Sequence, residues 1–378
     1  MNQLLDACVN GNLEEVKILL QNPNLDLDLN RIGHLYQETP LFIACKKGYL
    51  EIVQLLLNDD RVDVNKGNRN NYSPFDISCI NGHIEVVKLL LNDDRIERKQ
   101  IGKYCNLSLK FACEKGYTEI VKLMLGDQRF QINNQDSFGR TPLYISCESG
   151  HSDIVQLLLN DERVDRNKAT TYGWIPGKTP FSIACRNGHL EIVKLLLNDQ
   201  KVNVNQVEIS TGATPVYTTS LGGYIDIMKI LLEDERIEIN KVAKNGETPF
   251  YFACKEGNVG MVRLLLNHER VDINKTANNK WSPFYVACRQ GNYEVVQLIL
   301  ANRKMINFTG KNDIQKITKE MIDDLKNWED NKKVTKTRKK IIKLLCAFEK
   351  YPNKVRFKLR KKLGYSGIII YSHFFLSF

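Results

Sequence analysis

Residues 248–275 read TPFYFACKEGNVGMVRLLLNHERVDINK, and this stretch decides the fold. Thr248-Pro249 opens a short helix, because a Thr side chain caps free N–H groups and Pro is tolerated at the first helical position. Phe250, Ala253 and Cys254 give that helix an apolar face, and Gly257 ends it, since a left-handed closing residue is cheapest without a Cβ. A second helix carries Val259, Val262, Leu265 and Leu266, with Leu264 broadening its apolar side. The stretch Val271-Asp272-Ile273-Asn274 alternates as an extended arm does, and Asn245-Gly246 upstream reads as a tight turn. Neither helix is long enough to be stable alone in water, so the unit must stack on copies of itself.

The chain supplies the copies. The closing glycine recurs as Gly11, Gly48, Gly82, Gly116, Gly150, Gly188, Gly223, Gly257 and Gly291, at spacings of 34 to 38 residues, which makes nine units. The helix start recurs as Thr39-Pro40, Thr141-Pro142, Thr179-Pro180, Thr214-Pro215 and Thr248-Pro249, with Ser73-Pro74 and Ser282-Pro283 as variants. On these residues the chain resembles the ankyrin-repeat family, whose units of about 33 residues hold a turn, two helices and a T-P-L-H-x-A signature. The tetratricopeptide repeat has a similar period but lacks both a Thr-Pro start and an extended arm. The resemblance covers residues 1–302. The fold it implies is an all-α ankyrin-repeat solenoid of helix–turn–helix units joined by β-hairpin-like loops, with a divergent helical C-terminal cap. Expected boundaries are 1–302 for the array, 303–350 for a degenerate tenth repeat or helical cap, and 351–378 for a basic, then apolar tail.

A solenoid grows in one dimension, so 378 residues need no second globular core. Of the ten cysteines, Cys8, Cys45, Cys79, Cys113, Cys147, Cys185, Cys254 and Cys288 share one place in the repeat, three residues before the glycine; only Cys105 and Cys346 fall elsewhere. One thiol per repeat on a buried helix face is a small core residue, and no pair has C-x-x-C spacing, so neither zinc nor any other cofactor is expected. Reduced thiols and the polar opening Met1-Asn2-Gln3 point to a cytoplasmic protein.

Departures from the pattern are local. Residues 1–30 lack a Thr-Pro opening, as atypical terminal repeats do. The fourth unit has Leu107-Ser108 in its place, preceded by Lys103-Tyr104-Cys105, which predicts a weaker helix start. The sixth has extra hairpin residues around 169–176. The seventh replaces Ala-Cys by Thr219-Ser220, a candidate for local softness. The T-P-L-H histidine is absent, its place taken by Phe42, Asp76, Tyr144, Ser182, Tyr217, Tyr251 and Tyr285. Aromatic packing, with a Tyr hydroxyl reaching a partner, must then take over the latch between repeats.

No catalytic constellation stands out. His83, His151 and His189 match the family's Gly-His, His34 and His268 lie in loops, and there is no phosphate loop, dinucleotide fingerprint or H-E-x-x-H. Paired acids such as Asp59-Asp60 and Asp93-Asp94 sit with Arg61 and Arg95 in a repeated N-D-D-R turn, more simply a solvated turn than an acid/base pair. No enzyme is expected.

The array offers a surface instead. The resemblance implies that hairpin tips and inner helices line a concave groove for a protein or peptide partner. The candidates before each helix start are Tyr36, Glu38, Arg69, Tyr72, Tyr104, Phe138, Arg140, Trp174, Lys178, Lys244, Glu247 and Trp281, with aromatic and Arg types that dominate binding hot spots. The plainer reading is that each ring packs on the adjacent hairpin and shields its turn.

Residues 303–378 hold 20 Lys+Arg and 7 Asp+Glu. The whole chain is +10, which leaves residues 1–302 at −3, so the basic balance belongs to the tail. Ile314, Ile317, Met321, Leu325 and Trp328 mark one amphipathic helix, and Ile341, Ile342, Leu344, Leu345 and Phe348 another. Beyond them, Lys358, Arg360, Lys361 and Lys362 form a basic cluster suited to anionic lipid, nucleic acid or nuclear import. A soluble end that avoids aggregation is the plain alternative. Residues 367–378 are apolar but too short to span a bilayer as a helix. The functional expectation is a monomeric, non-catalytic adaptor or scaffold. The alternative is an anionic-surface docking protein acting through the tail.

Overall fold

The computed structural model describes residues 3–22, 28–33, 36–96, 107–128, 130–171, 176–302, 314–326 and 332–365. Among them are twenty-one α-helices and no strand. The chain divides into two compact units, one of residues 1–184 and 191–203, the other of residues 185–190 and 204–378.

The first unit contains the helix pairs α1 (Gln3–Asn10) and α2 (Leu13–Gln21), α3 (Pro40–Lys47) and α4 (Leu50–Leu57), α5 (Pro74–Asn81) and α6 (Ile84–Asn92), α7 (Leu107–Lys115) and α8 (Thr118–Gly126), and α9 (Pro142–Ser149) and α10 (Ser152–Leu159). Helices α11 (Pro180–Asn187) and α12 (Leu190–Asn198) carry residues of both units. The first helices of the pairs, α1 to α9, stack in chain order, and the second helices do the same. The buried cysteines line this stack.

The second unit contains α13 (Pro215–Gly222) and α14 (Ile225–Glu233), α15 (Pro249–Glu256) and α16 (Val259–Asn267), and α17 (Pro283–Gln290) and α18 (Tyr293–Ala301). Three further helices follow: α19 (Ile314–Lys326), α20 (Lys332–Lys350) and α21 (Pro352–Lys362). Helix α20 packs on α19 and touches α17 and α18, while α21 lies against α18 and α20. Under that cover α18 is buried from Val295 to Ala301, Gln297 included.

Each helix start follows from its sequence. Thr39 Oγ1 accepts the Phe42 N–H at 3.1 Å, and Pro40 occupies the first helical position without wasting a donor. Ser73 and Asp76 complete a reciprocal capping box. The end of α3 needs its glycine for two reasons. Gly48 has φ +74, and a Cβ there would stand 2.6 Å from His83 Nδ1 of the next repeat.

The arms between repeats depart from expectation. Val271 and Ile273 are buried, as alternation predicts, yet the backbone turns instead of forming a strand. Asparagine side chains join consecutive arms where a backbone ladder would otherwise do so. Asn240 Nδ2 donates to Arg270 O at 2.7 Å, and Asn240 Oδ1 accepts from Asp272 N at 2.8 Å. Asn133 bridges Arg163 and Asp165 in the same way. One primary amide thus satisfies a donor and an acceptor that would otherwise stay unpaired.

The polar inner helix α13 closes on itself. Thr218, Thr219 and Ser220 are buried, and all three hydroxyls donate to backbone carbonyls, the last to Pro249 O of the next helix at 2.9 Å.

Candidate partner-binding surface

The hairpin before α15 is a short closed turn. Ala243 N donates to Glu247 O at 3.0 Å and Gly246 N to Ala243 O at 2.8 Å. The turn demands a left-handed residue, which is Gly246 or Gly139 in some hairpins and Asn71 or Lys280 in others. Neighbouring tips are linked: Arg69 N donates to Tyr36 O at 3.0 Å, and Lys244 N to Thr211 O at 2.9 Å.

In four hairpins the base is fastened to its own inner helix eight residues on. Glu38 pairs with Lys46 at 2.8 Å, and Arg140 with Glu148 at 2.9 Å, with the charges reversed. Glu247 pairs with Lys255 at 2.8 Å. In the last hairpin the fastening is aromatic, with the Arg289 guanidinium 4.8 Å from the Trp281 ring centroid.

In the first unit this geometry leaves two rings in solvent. Tyr36 is 63% exposed, with Lys46 Nζ 5.8 Å from its centroid, and Phe138 is 54% exposed, with the Arg140 guanidinium at 5.3 Å. Arg69, linked to Tyr36 through the backbone, is exposed, and Tyr72 is half-buried. In the second unit Lys244 is exposed, whereas Trp281 is half-buried against Tyr285, their centroids 5.2 Å apart. Lys178 is half-buried, and Tyr104 and Trp174 lie outside the described residues.

Glu247 is a correction to the expected surface set. It is only 7% exposed, and its carboxylate is spent inside the array. Oε2 accepts the Tyr217 hydroxyl at 3.0 Å while Oε1 holds Lys255. Burial and the Glu247 charge both push the Tyr217 phenol up, so it stays a donor. Tyr217 occupies the place of the absent histidine and provides the latch by a hydroxyl. Tyr285 does the same, donating to Glu320 of α19, and Asp76 accepts from Ser108 at the next helix start.

Where histidine does follow the closing glycine, it works backwards along the stack. His83 Nε2 lies 3.1 Å from Lys46 O, and His151 Nε2 lies 2.9 Å from Glu114 O. Asn292 makes the equivalent contact through its amide, 2.8 Å from Lys255 O. These three side chains tie inner-helix ends to the following repeat.

The N-D-D-R turns also fasten neighbours. Arg95 Nη2 donates to Asp93 Oδ2 at 2.7 Å and to Leu57 O of the preceding outer helix at 2.6 Å. Arg163 reaches Leu125 O at 2.7 Å, and Arg270 reaches Leu232 O at 3.3 Å. A cation at a helix C-terminus also meets the favourable end of its dipole. The Arg95, Arg163 and Arg236 side chains, by hydrogen-bonding Asp93, Asp161 and Asp234, hold those carboxyls below the usual range.

Sequence reasoning passed over Arg166 and Glu208. Arg166 stands where other arms carry Val64, Ile132 or Val204, and that broken alternation was its signal. It is buried, with Nε 3.0 Å from Asp199 Oδ2 and Nη2 donating to Leu159 O at 2.8 Å. Glu208, in the hairpin before α13, is buried between Arg186 at 3.2 Å and the Thr211 hydroxyl at 2.9 Å.

The basic cluster of α21 divides by direction. Arg360 Nη1 donates to Ala301 O at 3.3 Å and Arg356 Nε to Leu300 O at 3.2 Å, so these arginines finish α18 as Arg95 finishes α4. Lys362 Nζ reaches Gln297 Oε1 at 3.3 Å. Lys358 and Lys361 face solvent.

Among the described residues no group of His, Cys, Asp and Glu could hold a metal ion, and no helix is long and apolar enough to cross a membrane. Two open depressions of about 460 and 510 Å³ flank Gly126 at the ends of the outer helices, away from the hairpin tips. A family model described as ankyrin repeats, in three copies, matches residues 4–100, 109–208, 170–243 and 216–312. The chain belongs to the ankyrin-repeat family. No curated protein matches it. Ankyrin repeats generally serve as protein–protein interaction modules and are typically non-catalytic.

Proposed function

We propose that this ankyrin-repeat protein is a non-catalytic adaptor that takes a protein or peptide partner on the hairpin tips of its first unit. The observation that carries the reading is the pair of outward rings, Tyr36 and Phe138, each backed by a cation and each on a turn closed by hydrogen bonds. Such rings offer large contact area at small entropic cost on binding, because their backbone is already fixed. A mere packing role is weakly supported for them, since both keep more than half of their surface in water. Trp281 and Tyr72, half-buried, fit the packing role better. Arg69 and Lys244 remain candidate contacts, and Glu38 and Arg140 act by holding Lys46 and the Phe138 turn in place.

The test is a peptide-display selection on the full chain, followed by affinity measurement for Tyr36→Ala, Phe138→Ala and Lys358→Ala. Loss of about tenfold or more for either ring, with Lys358→Ala unchanged, supports the reading. Selected ligands that bind all three variants equally would sink it.

A further inference from the structure

The cover formed by α20 and α21 sorts its basic residues by type. Arg356 and Arg360 turn onto the carbonyls that end α18, and Arg338 is buried with Nη2 on Arg289 O. Apart from Lys340, 5.9 Å from the Tyr293 ring centroid, and Lys362, on Gln297, the lysines go the other way. Lys343, Lys350, Lys354, Lys358 and Lys361 are all exposed. Lys350 and Lys354 stand 5.3 and 5.8 Å from the Tyr351 ring centroid, so a lysine of each helix lies at the joint between them. One acid, Glu349, occurs between 343 and 365, and it accepts a hydrogen bond from Gln315 at 2.5 Å. Among these lysines Phe357 stands 58% exposed and Tyr351 52% exposed.

A lysine face alone would do no more than keep a helix soluble. Outward aromatic rings work against solubility, and their place among ammonium groups needs another reason. We propose that this face docks the protein on an anionic lipid bilayer, the lysines meeting headgroup phosphates and carboxylates while Phe357 and Tyr351 enter the interface. Stable membrane attachment takes a second, apolar signal beside a basic patch, and on this face Phe357 and Tyr351 supply it. Nucleic-acid phosphates would accept lysine too, but the arginine forks that give phosphate recognition its geometry here face the protein.

The experiment is co-sedimentation of the full chain with vesicles of phosphatidylcholine alone and of phosphatidylcholine with one-third phosphatidylserine. It is run at low and physiological salt, beside a fluorescent single-stranded oligonucleotide. Binding to the anionic vesicles alone, weakened by salt, is expected. Each lysine near such a surface is worth roughly fivefold in binding, so K354A/K358A/K361A binds roughly a hundredfold more weakly. Phe357→Ala binds roughly tenfold more weakly. All these side chains face solvent, so thermal melts of the variants match the parent. The proposal is overturned if anionic vesicles are not bound at low salt, or if the triple variant binds them as well as the parent. It is equally overturned if the oligonucleotide is bound more tightly than the vesicles.

Discussion

The imidazole of His83 lies over Gly48 of the preceding repeat, its Nε2 3.1 Å from Lys46 O and its Nδ1 2.6 Å from where a Gly48 Cβ would be. The glycine is therefore required by its neighbour as well as by its own φ of +74. Gly48→Ala is expected to destabilise the first unit by about 2 kcal/mol, from left-handed strain and the collision together. In a His83→Ala background the collision vanishes and the same change costs about half as much. Urea denaturation of the four proteins of this cycle checks it. Strictly additive effects would show that ring and glycine are independent.

Tyr217 and Glu247 offer a second test. Tyr217→Phe leaves Glu247 with Lys255 alone in a buried place, and a loss of about 1–2 kcal/mol is expected. The double change Tyr217→Phe with Glu247→Gln should lose less than the two single losses combined. A Tyr217→Phe protein as stable as the parent would remove the latch from the account.

The arginine-bound aspartates predict a pH dependence with a definite sign. Asp93, Asp161 and Asp234 have folded pKa values lowered by the hydrogen bonds of Arg95, Arg163 and Arg236. Their stabilisation is complete above the unfolded carboxyl range, about pH 4, and is lost as pH falls through the lower folded values. Asp161→Asn keeps the turn's acceptor for the Arg163 backbone N–H but removes the charge. It is expected to be about 1 kcal/mol less stable than the parent at neutral pH, with the difference closing below about pH 4. Thermal melts across pH measure this; a difference that stays constant down to pH 2 would refute it.

Thiol chemistry should separate the cysteines sharply. Burial pushes the Cys8, Cys45, Cys113 and Cys185 thiols up to about 12, and raises Cys79, Cys254 and Cys288 as well. Since the thiolate is the reacting species, alkylation of native protein should label Cys346, which is exposed, and spare these inner-helix sites. Peptide mapping after brief iodoacetamide treatment reads the outcome. Rapid labelling of Cys113 or Cys254 would mean that their repeats open locally.

What the sequence made legible was whatever recurs. The closing glycine recurs nine times, the Thr-Pro or Ser-Pro start seven times and the Val/Leu face of the outer helices from α4 to α18 eight times, so each copy corroborates the rest. The side chains that join one copy to the next were harder to see. Asn240 looks like an ordinary loop residue, and only the fold puts its amide between Arg270 and Asp272. Glu247 was read as a tip residue because position in a hairpin says nothing about where a carboxylate turns; Tyr217, thirty residues earlier, decides that. Tyr36 and Phe138 could be named as candidates, but their exposure depends on the shape of turns that propensity alone does not fix.

In several repeats the arginine that completes an outer helix comes from the following repeat. Leu57, Leu125 and Leu232 receive theirs 38 residues later, from Arg95, Arg163 and Arg270. For α18 the donors stand much farther away: Arg356 for Leu300, 56 residues on, and Arg360 for Ala301, 59 residues on. On the ribosome, then, α4, α8 and α14 emerge with frayed carbonyls and wait for the following repeat before they are finished. Helix α18 waits longest, until α21 has left the exit tunnel. A nascent chain halted shortly after Asn302 would expose an unfinished edge, and that is the moment at which a chaperone has most to protect.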